Sequence, residues 1–216
     1  MLFDAFDRVR IVSLVERQDR RRQMGRQLAA VGLIGDPKFS FFDAIRMSAP
    51  GPFRSSGSHG CYLSHLAILT EAANNRQSVA ILQDDCDFLD RIRSYQLPPC
   101  DIFYGSHSED GNTIIGAHFM GFSSRAAALA ADYLQQLLDP SFPPDGQACL
   151  ESGFNPAIRP PIDGSLVWFR RAYPHLKTAF ALLGVQRRSR SDITPGALDQ
   201  IPVVRGAVEA MRRVFA

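Results

Sequence analysis

The segment SVAILQ, residues 78–83, constrains the fold more than any other part of the sequence. It is a short apolar run without polar alternation, which is typical of a strand buried on both faces of a mainly parallel sheet. Four carboxylates follow it directly, on Asp84, Asp85, Asp87 and Asp90. Because ligands of open α/β sheets bind outside the carboxyl ends of the strands, this acidic segment is the leading candidate for a functional site.

The rest of the chain predicts alternating strands and helices. Gly32 ends a first helix whose apolar positions are Met24, Leu28 and Val31. A second helix, over residues 61–75, carries Leu63, Leu66, Ala67 and Thr70 along one face. Further strands are predicted at 9–15, 39–45 (ending at Asp43), 101–106 and 114–123, with a third helix over 124–139 and irregular, Pro-rich loops from Pro140 to Pro161. This order predicts an α/β fold with a mainly parallel central sheet.

Composition is that of an ordinary globular protein. The 216 residues are 45% hydrophobic and 21% charged, with a net charge of +2; this fits one domain with a real core and gives no indication of a nucleic-acid partner. Charged residues interrupt the N-terminal segment, and no stretch approaches ~18 apolar residues, so we expect neither export by a signal peptide nor a transmembrane span. The cysteines are scattered singly, which predicts reduced thiols in a cytosol rather than disulfides or a zinc site.

The division expected is a main domain over residues 1–195 and a basic amphipathic tail over 196–216. The tail sets apolar residues on one helical face and Arg205, Arg212 and Arg213 off it. Two interpretations stay open. The tail lies on a membrane surface, or it is a terminal helix docked on the domain with its arginines in water.

The acidic segment suits a hard divalent cation. Asp85 and Asp87 provide two carboxylates on the same side of an extended segment, and Mg²⁺ or Mn²⁺ commonly binds one or two carboxylates together with substrate phosphates. The alternative is a solvated acidic loop. Its position after a buried strand favours the functional interpretation.

The loop after the first strand, VERQDRRR, supplies guanidinium groups that can pair with phosphate bidentately. Arg17 lies in the loop and Arg20 at the start of the helix, so both are well placed for a ligand. Arg21 and Arg22 are expected on the solvated face of the helix. The sequence therefore predicts an anion site built by Arg17 and Arg20.

Two further residues remain ambiguous from the sequence alone. A lone histidine on a helix, such as His65, is more often a satisfied core residue than a ligand or base. Asp163 lies in the stiff segment RPPIDG, where it is either a functional carboxylate or a turn-forming residue before Gly164.

Several segments, taken in order, resemble glycosyltransferase family 25, the lipooligosaccharide glycosyltransferase group. The resemblance runs through roughly residues 9–170, and GCYLSH followed by ILQDD is its most specific part. The segments that carry it are IVSLVERQDRRRQM, FFDAI, GCYLSHLAIL, VAILQDDCDF, GFSSRAAALAADYL and PPIDGSL.

The resemblance implies a GT-A type fold, a Rossmann-like domain that binds a nucleotide-sugar, and inverting transfer to a saccharide or glycolipid acceptor on the cytoplasmic side of an inner membrane. A UDP-sugar is the expected donor. His65 matches the histidine of the family's Ser-His pair, and Asp84 and Asp85 match the paired acids of its Glu-Asp-Asp. The other residues implied to contact the nucleotide-sugar are Ser13, Leu14, Arg17, Asp43 and Ala44, to which the loop chemistry adds Arg20.

One departure concerns the metal. The family's usual glutamate is Gln83 here, whose uncharged amide weakens the expectation of bound Mn²⁺ or Mg²⁺. Shifting the ligand frame to Asp85 and Asp87 would compensate. Asp163 matches a Pro-x-Asp element late in the family domain and is the expected general base, while the metal and Arg17 are expected to stabilise the departing diphosphate.

Two alternatives to an active transferase stay open. Gln83 raises the hypothesis of a degenerate member that binds a nucleotide-sugar or a partner enzyme without catalysis. The acidic segment alone also fits the metal site of a phosphohydrolase or nucleotidyltransferase, which leaves GCYLSH and the first loop unexplained.

Overall fold

The computed structural model describes residues 2–110, 113–150 and 154–187. The strands are β1 (Arg8–Ser13), β2 (Phe39–Asp43), β3 (Val79–Gln83), β4 (Cys86–Phe88), β5 (Ile102–Asp110), β6 (Thr113–Phe122), β7 (Thr178–Phe180) and β8 (Gly184–Gln186). The helices are α1 (Gln18–Ala30), α2 (Ser56–Asn75), α3 (Ser124–Leu137) and α4 (Ile162–Ala172), with 3₁₀ turns at Leu2–Ala5, Asp90–Arg93 and Ala148–Leu150. Among the described helices, none is long and apolar enough to cross a lipid bilayer.

A six-stranded sheet in the order β2-β1-β3-β6-β5-β7 forms the centre of the fold. The pairs β2–β1, β1–β3 and β5–β7 are parallel, whereas β6 runs antiparallel to both of its neighbours. The predicted α/β class and mainly parallel sheet are confirmed. Because β1 has β2 on one side and β3 on the other, the strand order reverses beside β1 and opens a crevice at the carboxyl ends.

Each face of the sheet has its own core, as the apolar run of β3 predicts. Ala80 and Leu82 of β3 pack with α1 and the N-terminal segment, whereas Val79 and Ile81 pack with α2, α3 and α4. Burial of all four is essentially complete. The strand therefore ends at Gln83 with its carboxyl end fixed on both sides, which positions the acids that follow.

Helix α2 begins earlier than predicted and buries a different face. Ser55 is its N-cap and accepts a hydrogen bond from the backbone N–H of Ser58 at 3.0 Å. The buried side includes Tyr62, Leu66 and Leu69, and Thr70 is exposed. The Ser- and Gly-rich stretch before residue 61 is therefore partly helical. The predicted face is right at Leu66, partly right at Leu63, which packs against the core while half-buried, and wrong at Thr70.

The stretch around Asp163 is also helical, which corrects the prediction of an irregular segment there. Pro161 is the N-cap of α4, and Asp163 lies in the first turn of that helix. A Pro-Pro pair before an apolar run is compatible with a helix start, because the first turn leaves its N–H groups unpaired. The predicted tail, residues 196–216, lies outside the described residues.

Candidate functional site at the carboxyl edge of the sheet

The ends of β1 and β3 are joined by a buried ion-pair cluster. The Ser13 hydroxyl donates to Asp84 Oδ2 at 2.6 Å, and Arg20 Nη1 donates to Asp84 Oδ1 at 2.9 Å. The same guanidinium nitrogen lies 3.3 Å from Asp85 Oδ2. Ser13, Arg20, Asp84 and Asp85 are all buried. One arginine from α1 thus holds the two acids that follow β3 against the end of β1.

Burial dominates the ionisation of Asp84. It raises the pKa of this carboxyl above the ordinary value of 3.8, and the attraction of Arg20 and the hydrogen bond from Ser13 only partly oppose the effect. Asp84 is therefore a structural member of the cluster, held by two partners of different chemistry. Its predicted contact with a nucleotide-sugar stays a prediction.

Asp85 differs from Asp84 in having an unsatisfied oxygen. Its Oδ1 is buried and, within the described part of the chain, accepts no hydrogen bond. Oδ2 faces Arg20 and lies 3.4 Å from the side-chain nitrogen of Gln186. A buried acceptor without a donor is costly, so this oxygen marks a position where a ligand group or a cation would be stabilised.

The predicted partner of Asp85 is engaged elsewhere. Arg187 Nε donates to both carboxylate oxygens of Asp87, at 3.0 and 3.1 Å, while Arg187 Nη1 donates to Gln23 Oε1 at 2.6 Å. The backbone N–H of Arg187 also donates to the carbonyl oxygen of Asp85 at 2.7 Å. Arg187 therefore fixes the acidic segment from the far side.

This arrangement does not fit a divalent cation held by Asp85 and Asp87 together. Arg187 occupies both oxygens of Asp87, and Arg20 neutralises Oδ2 of Asp85. Across residues 2–110, 113–150 and 154–187, no group of three or more His, Cys, Asp or Glu side chains could hold a metal ion. We therefore derive no chemical step through a metal, and the Asp85–Asp87 ligand frame stays a prediction.

The other residues predicted to contact the nucleotide-sugar lie at the same edge of the sheet. Arg17 is the N-cap residue of α1, and its Nε and Nη2 donate to the two carboxylate oxygens of Asp19, each at 3.0 Å. These bonds lower the pKa of Asp19 to about 2. Leu14 continues β1 and Ala44 follows β2, where the backbone N–H of Ala44 donates to the carbonyl oxygen of Ser13 at 2.9 Å. The structure thus brings the predicted nucleotide-contacting residues of β1 and β2 side by side.

Arg21 has a role that the sequence did not indicate. Its Nη2 donates to the carbonyl oxygen of Ser13 at 3.0 Å and to Asp43 Oδ1 at 2.5 Å, and its guanidinium lies over the ring of Phe41, 5.0 Å from the centroid. The expectation of a solvated side chain was wrong for Arg21 and right for Arg22, which is exposed. Arg21 therefore ties α1 to the end of β2.

A second group of polar residues lies on the α2 side of the crevice. His65 Nδ1 donates to the carbonyl oxygen of Cys61 at 2.9 Å, one helical turn earlier. The ring is buried, which lowers the pKa of His65 and keeps it neutral. Hydrogen bonds to the backbone of Cys61 and Ala117 oppose this lowering. Gln83 extends toward the same turn, with Nε2 3.8 Å from Cys61 Sγ.

Asp163 acts electrostatically on this second group. Burial is the main cause that raises the pKa of the Cys61 thiol to about 12, and the negative charges of Asp163 and Asp85 contribute to the rise. The negative charge of Asp163 also raises the pKa of His65, but by less than burial lowers it. Its own Oδ1 accepts a hydrogen bond from the backbone N–H of Gly164 at 2.9 Å. Asp85 and Asp163, which are far apart in sequence, therefore both act on the Cys61 thiol.

Cys61 and Arg187 are the residues of this site that the sequence did not single out. The spacing of Cys61 and His65, four positions on a helix, was the available signal for the first, because such residues lie on one face. Arg187 falls in the segment VQRR, which gave no indication of its partner Asp87. Comparison of the sequence with protein-family models and with curated proteins gives no match.

Proposed function

We propose that this protein is a glycosyltransferase of GT-A type, which transfers a sugar from a nucleotide-sugar, expected to be a UDP-sugar, to a saccharide acceptor with inversion. The observation that carries the proposal is the cluster at the carboxyl ends of β1 and β3, where Ser13 and Arg20 hold Asp84 and Asp85. This cluster borders the crevice where nucleotides bind in open α/β sheets. The expected base, Asp163, lies in the first turn of α4, and α4 packs with α2 in the core on one face of the sheet.

The residues at the end of β1 and the start of α1 support the proposed binding of a nucleotide-sugar donor. Helix α1 begins at the crevice, so its N-terminus favours an anionic group there, and Arg17 would exchange its partner Asp19 for that group. Ser13, Leu14, Asp43 and Ala44 lie beside that position on β1 and β2. A nucleoside diphosphate is the ligand class that suits a positive helix end bordered by polar backbone.

Transfer to the acceptor hydroxyl requires a general base. In our proposal the carboxylate of Asp163 takes the proton of the acceptor hydroxyl as its oxygen bonds to the anomeric carbon, and the bond from that carbon to the diphosphate oxygen breaks. The electron pair leaves with the nucleoside diphosphate, whose charge Arg17 opposes. Neutral, buried His65 orients the turn that carries Cys61 on the same side.

The resemblance to lipooligosaccharide glycosyltransferases supports a saccharide or glycolipid acceptor at the cytoplasmic face of an inner membrane. A requirement for Mn²⁺ or Mg²⁺ stays a prediction. Release of nucleoside diphosphate from a donor panel, measured with and without Mn²⁺, tests both. Release of phosphate or pyrophosphate instead would favour a phosphohydrolase or nucleotidyltransferase.

The decisive variant is Asp163→Asn, which keeps the shape of the side chain and removes its basicity. We expect transferase turnover to fall by about 10²-fold or more, with UDP binding retained. Asp132→Asn, an exposed change on α3, is the matched control and should keep full turnover. Near-normal turnover in Asp163→Asn would refute the assignment of the base.

A second candidate function has one specific observation in its favour. Arg187 neutralises Asp87, and Gln83 replaces a carboxylate, so the acidic segment carries less free negative charge than a metal-dependent transferase needs. A protein that binds a nucleotide-sugar without catalysing its transfer is consistent with this reduced negative charge. Stabilisation by UDP with no turnover of any donor, with or without Mn²⁺, would favour this candidate.

A further inference from the structure

An arginine of α4 packs beside two stacked rings at the far end of the same sheet edge. Tyr104 of β5 and Phe180 of β7 are cross-strand neighbours, with ring centroids 5.2 Å apart and planes 29° apart. The Arg170 guanidinium lies 4.9 Å from the Tyr104 centroid and 5.5 Å from the Phe180 centroid. We call these three residues the β7 platform.

The β7 platform is partly open to solvent. Phe180 stacks on Tyr104 and meets the edge of the His107 ring at 5.7 Å, yet it remains 36% exposed. Tyr104 beneath it is completely buried. An aromatic side chain that is rigidly backed by a second ring and exposed on its remaining surface is suited to contact the apolar C–H face of a flat ligand.

Two buried polar atoms beside the β7 platform, Nδ1 of His107 and Nε of Arg170, have no hydrogen-bond partner in the described part of the chain. Buried polar groups are almost always hydrogen-bonded in folded proteins, so these two atoms point to a missing polar partner. The Tyr104 hydroxyl is engaged, because the charge of Arg170 and a hydrogen bond from it oppose the rise that burial causes in the pKa of Tyr104.

The charge of Arg170 also lacks a carboxylate partner. Arg170 Nη2 donates to the carbonyl oxygen of Ile114, and among the carboxylate side chains that the structure describes none lies within ion-pair distance of its guanidinium. A half-buried guanidinium beside two rings presents planar donors, which match a carboxylate or phosphate group.

We propose that the β7 platform is a subsite for an anionic saccharide, whose pyranose ring lies on Phe180 and whose carboxylate or phosphate group pairs with Arg170. Its assignment to the acceptor rests on the proposed function. Asp163 and Arg170 lie on the same helix, so a sugar held here is about two helical turns, ~10 Å, from the expected base.

The test is a saturation-transfer NMR titration of the full chain with three probes: methyl β-D-glucuronide, glucose 6-phosphate and the neutral methyl β-D-glucoside. We expect both anionic probes to bind at least tenfold more tightly than the neutral one. Arg170→Gln should remove that preference. Phe180→Leu keeps an apolar contact with Tyr104 but loses the aromatic face, and should weaken all three probes about tenfold.

Phe41→Ala is the matched control, because Phe41 is 38% exposed and also has an arginine over its ring, on the opposite edge strand. It should leave saccharide binding unchanged. Equal binding of neutral and anionic probes, no binding of any probe, or unchanged binding in Phe180→Leu would overturn the proposal. Stabilisation by UDP without saccharide binding refutes this subsite alone, whereas saccharide binding without any UDP effect supports the subsite and refutes the nucleotide site.

Discussion

At the scale of single residues, Arg20 explains how a buried strand can end in adjacent acids. Its guanidinium pairs with Asp84 and Asp85, and Arg187 pairs with Asp87 from the other side. Like charges that would otherwise repel one another are thereby held in place at a strand end. Two guanidinium groups thus oppose three carboxylates, so the acidic segment is a partly compensated cluster rather than an open carboxylate surface.

Loss of Arg20 should therefore be far more harmful than loss of its exposed neighbour. Arg20→Met leaves two buried carboxylates without their shared cation, and we expect the free energy of unfolding to fall by about 3–5 kcal/mol. Arg22→Met, on the exposed face of the same helix, should change it by no more than about 0.5 kcal/mol. Urea denaturation measures both. Equal, small effects would contradict the shared-cation role of Arg20.

His65 gives the stability a dependence on pH with a defined sign. The native state holds this ring neutral, with a pKa below the ordinary 6.5, whereas the unfolded chain binds a proton below that value. The contribution is present above pH 6.5 and is lost as the pH falls toward the lowered native pKa, by up to about 1.4 kcal/mol per pH unit. His65→Gln should flatten this slope, and the exposed control His175→Gln should keep it. Identical slopes in all three proteins would show that His65 does not titrate on unfolding.

The role of a single residue was predictable from the sequence where it follows from a local pattern, and not where its partner is distant in the chain. The acids were found because they follow a buried strand, and the strand end lies at the ligand-binding edge of such sheets. Their partners could not be found in the same way. Arg187 binds Asp87 from 100 positions further along the chain, and no local pattern indicates such a pair.

At the scale of elements, Gly60 couples α2 to the loop after β2. A Cβ built at this position would lie 2.2 Å from the carbonyl oxygen of Ile45. The close approach brings the segment with Asp43 and Ala44 against the helix that carries Cys61 and His65. Backbone atoms cannot move away as a flexible side chain can, so the contact requires glycine.

Gly60→Ala should therefore destabilise the protein by about 1–3 kcal/mol through overpacking. Gly25→Ala is the matched control, since a Cβ on that α1 residue meets no atom within 4 Å. There the higher helix propensity of alanine should give a gain of about 0.5–1 kcal/mol. Thermal unfolding of the two variants gives the comparison. A neutral Gly60→Ala would mean that the loop and helix are not in contact.

The starts of α2 and α4 were not predicted, because the residue types found there occur both in turns and at helix starts. Ser, Gly and Pro mark both turns and helix starts, so SSGSHG and PPIDG were interpreted as loops although Ser55 and Pro161 are helix N-caps. What decided the outcome was tertiary packing. Tyr62 of α2 and Ile162 of α4 are both buried in the core on that side of the sheet.

At the scale of the whole molecule, the sheet edge forms one row of polar residues. From β2 to β7 it carries the predicted nucleotide-contacting residues, then the acids after β3 and finally the β7 platform. The α/β class was predictable from short apolar runs that alternate with helical patterns. The strand order was not, because the insertion of antiparallel β6 between β3 and β5 depends on pairing between distant segments.

The most direct test of a nucleotide site in this row is the thermal shift of the purified protein with UDP, with and without Mn²⁺. A ligand at a hundredfold excess over its Kd that binds only the native state adds about 2.7 kcal/mol, which corresponds to about 5–10 °C for a chain of this size. We expect that shift for the natural chain and for Arg26→Gln, which is exposed on α1, and a clearly smaller one for Arg17→Gln. No shift with UDP under either condition, or an equal shift in both variants, would contradict a nucleotide-sugar site at the start of α1.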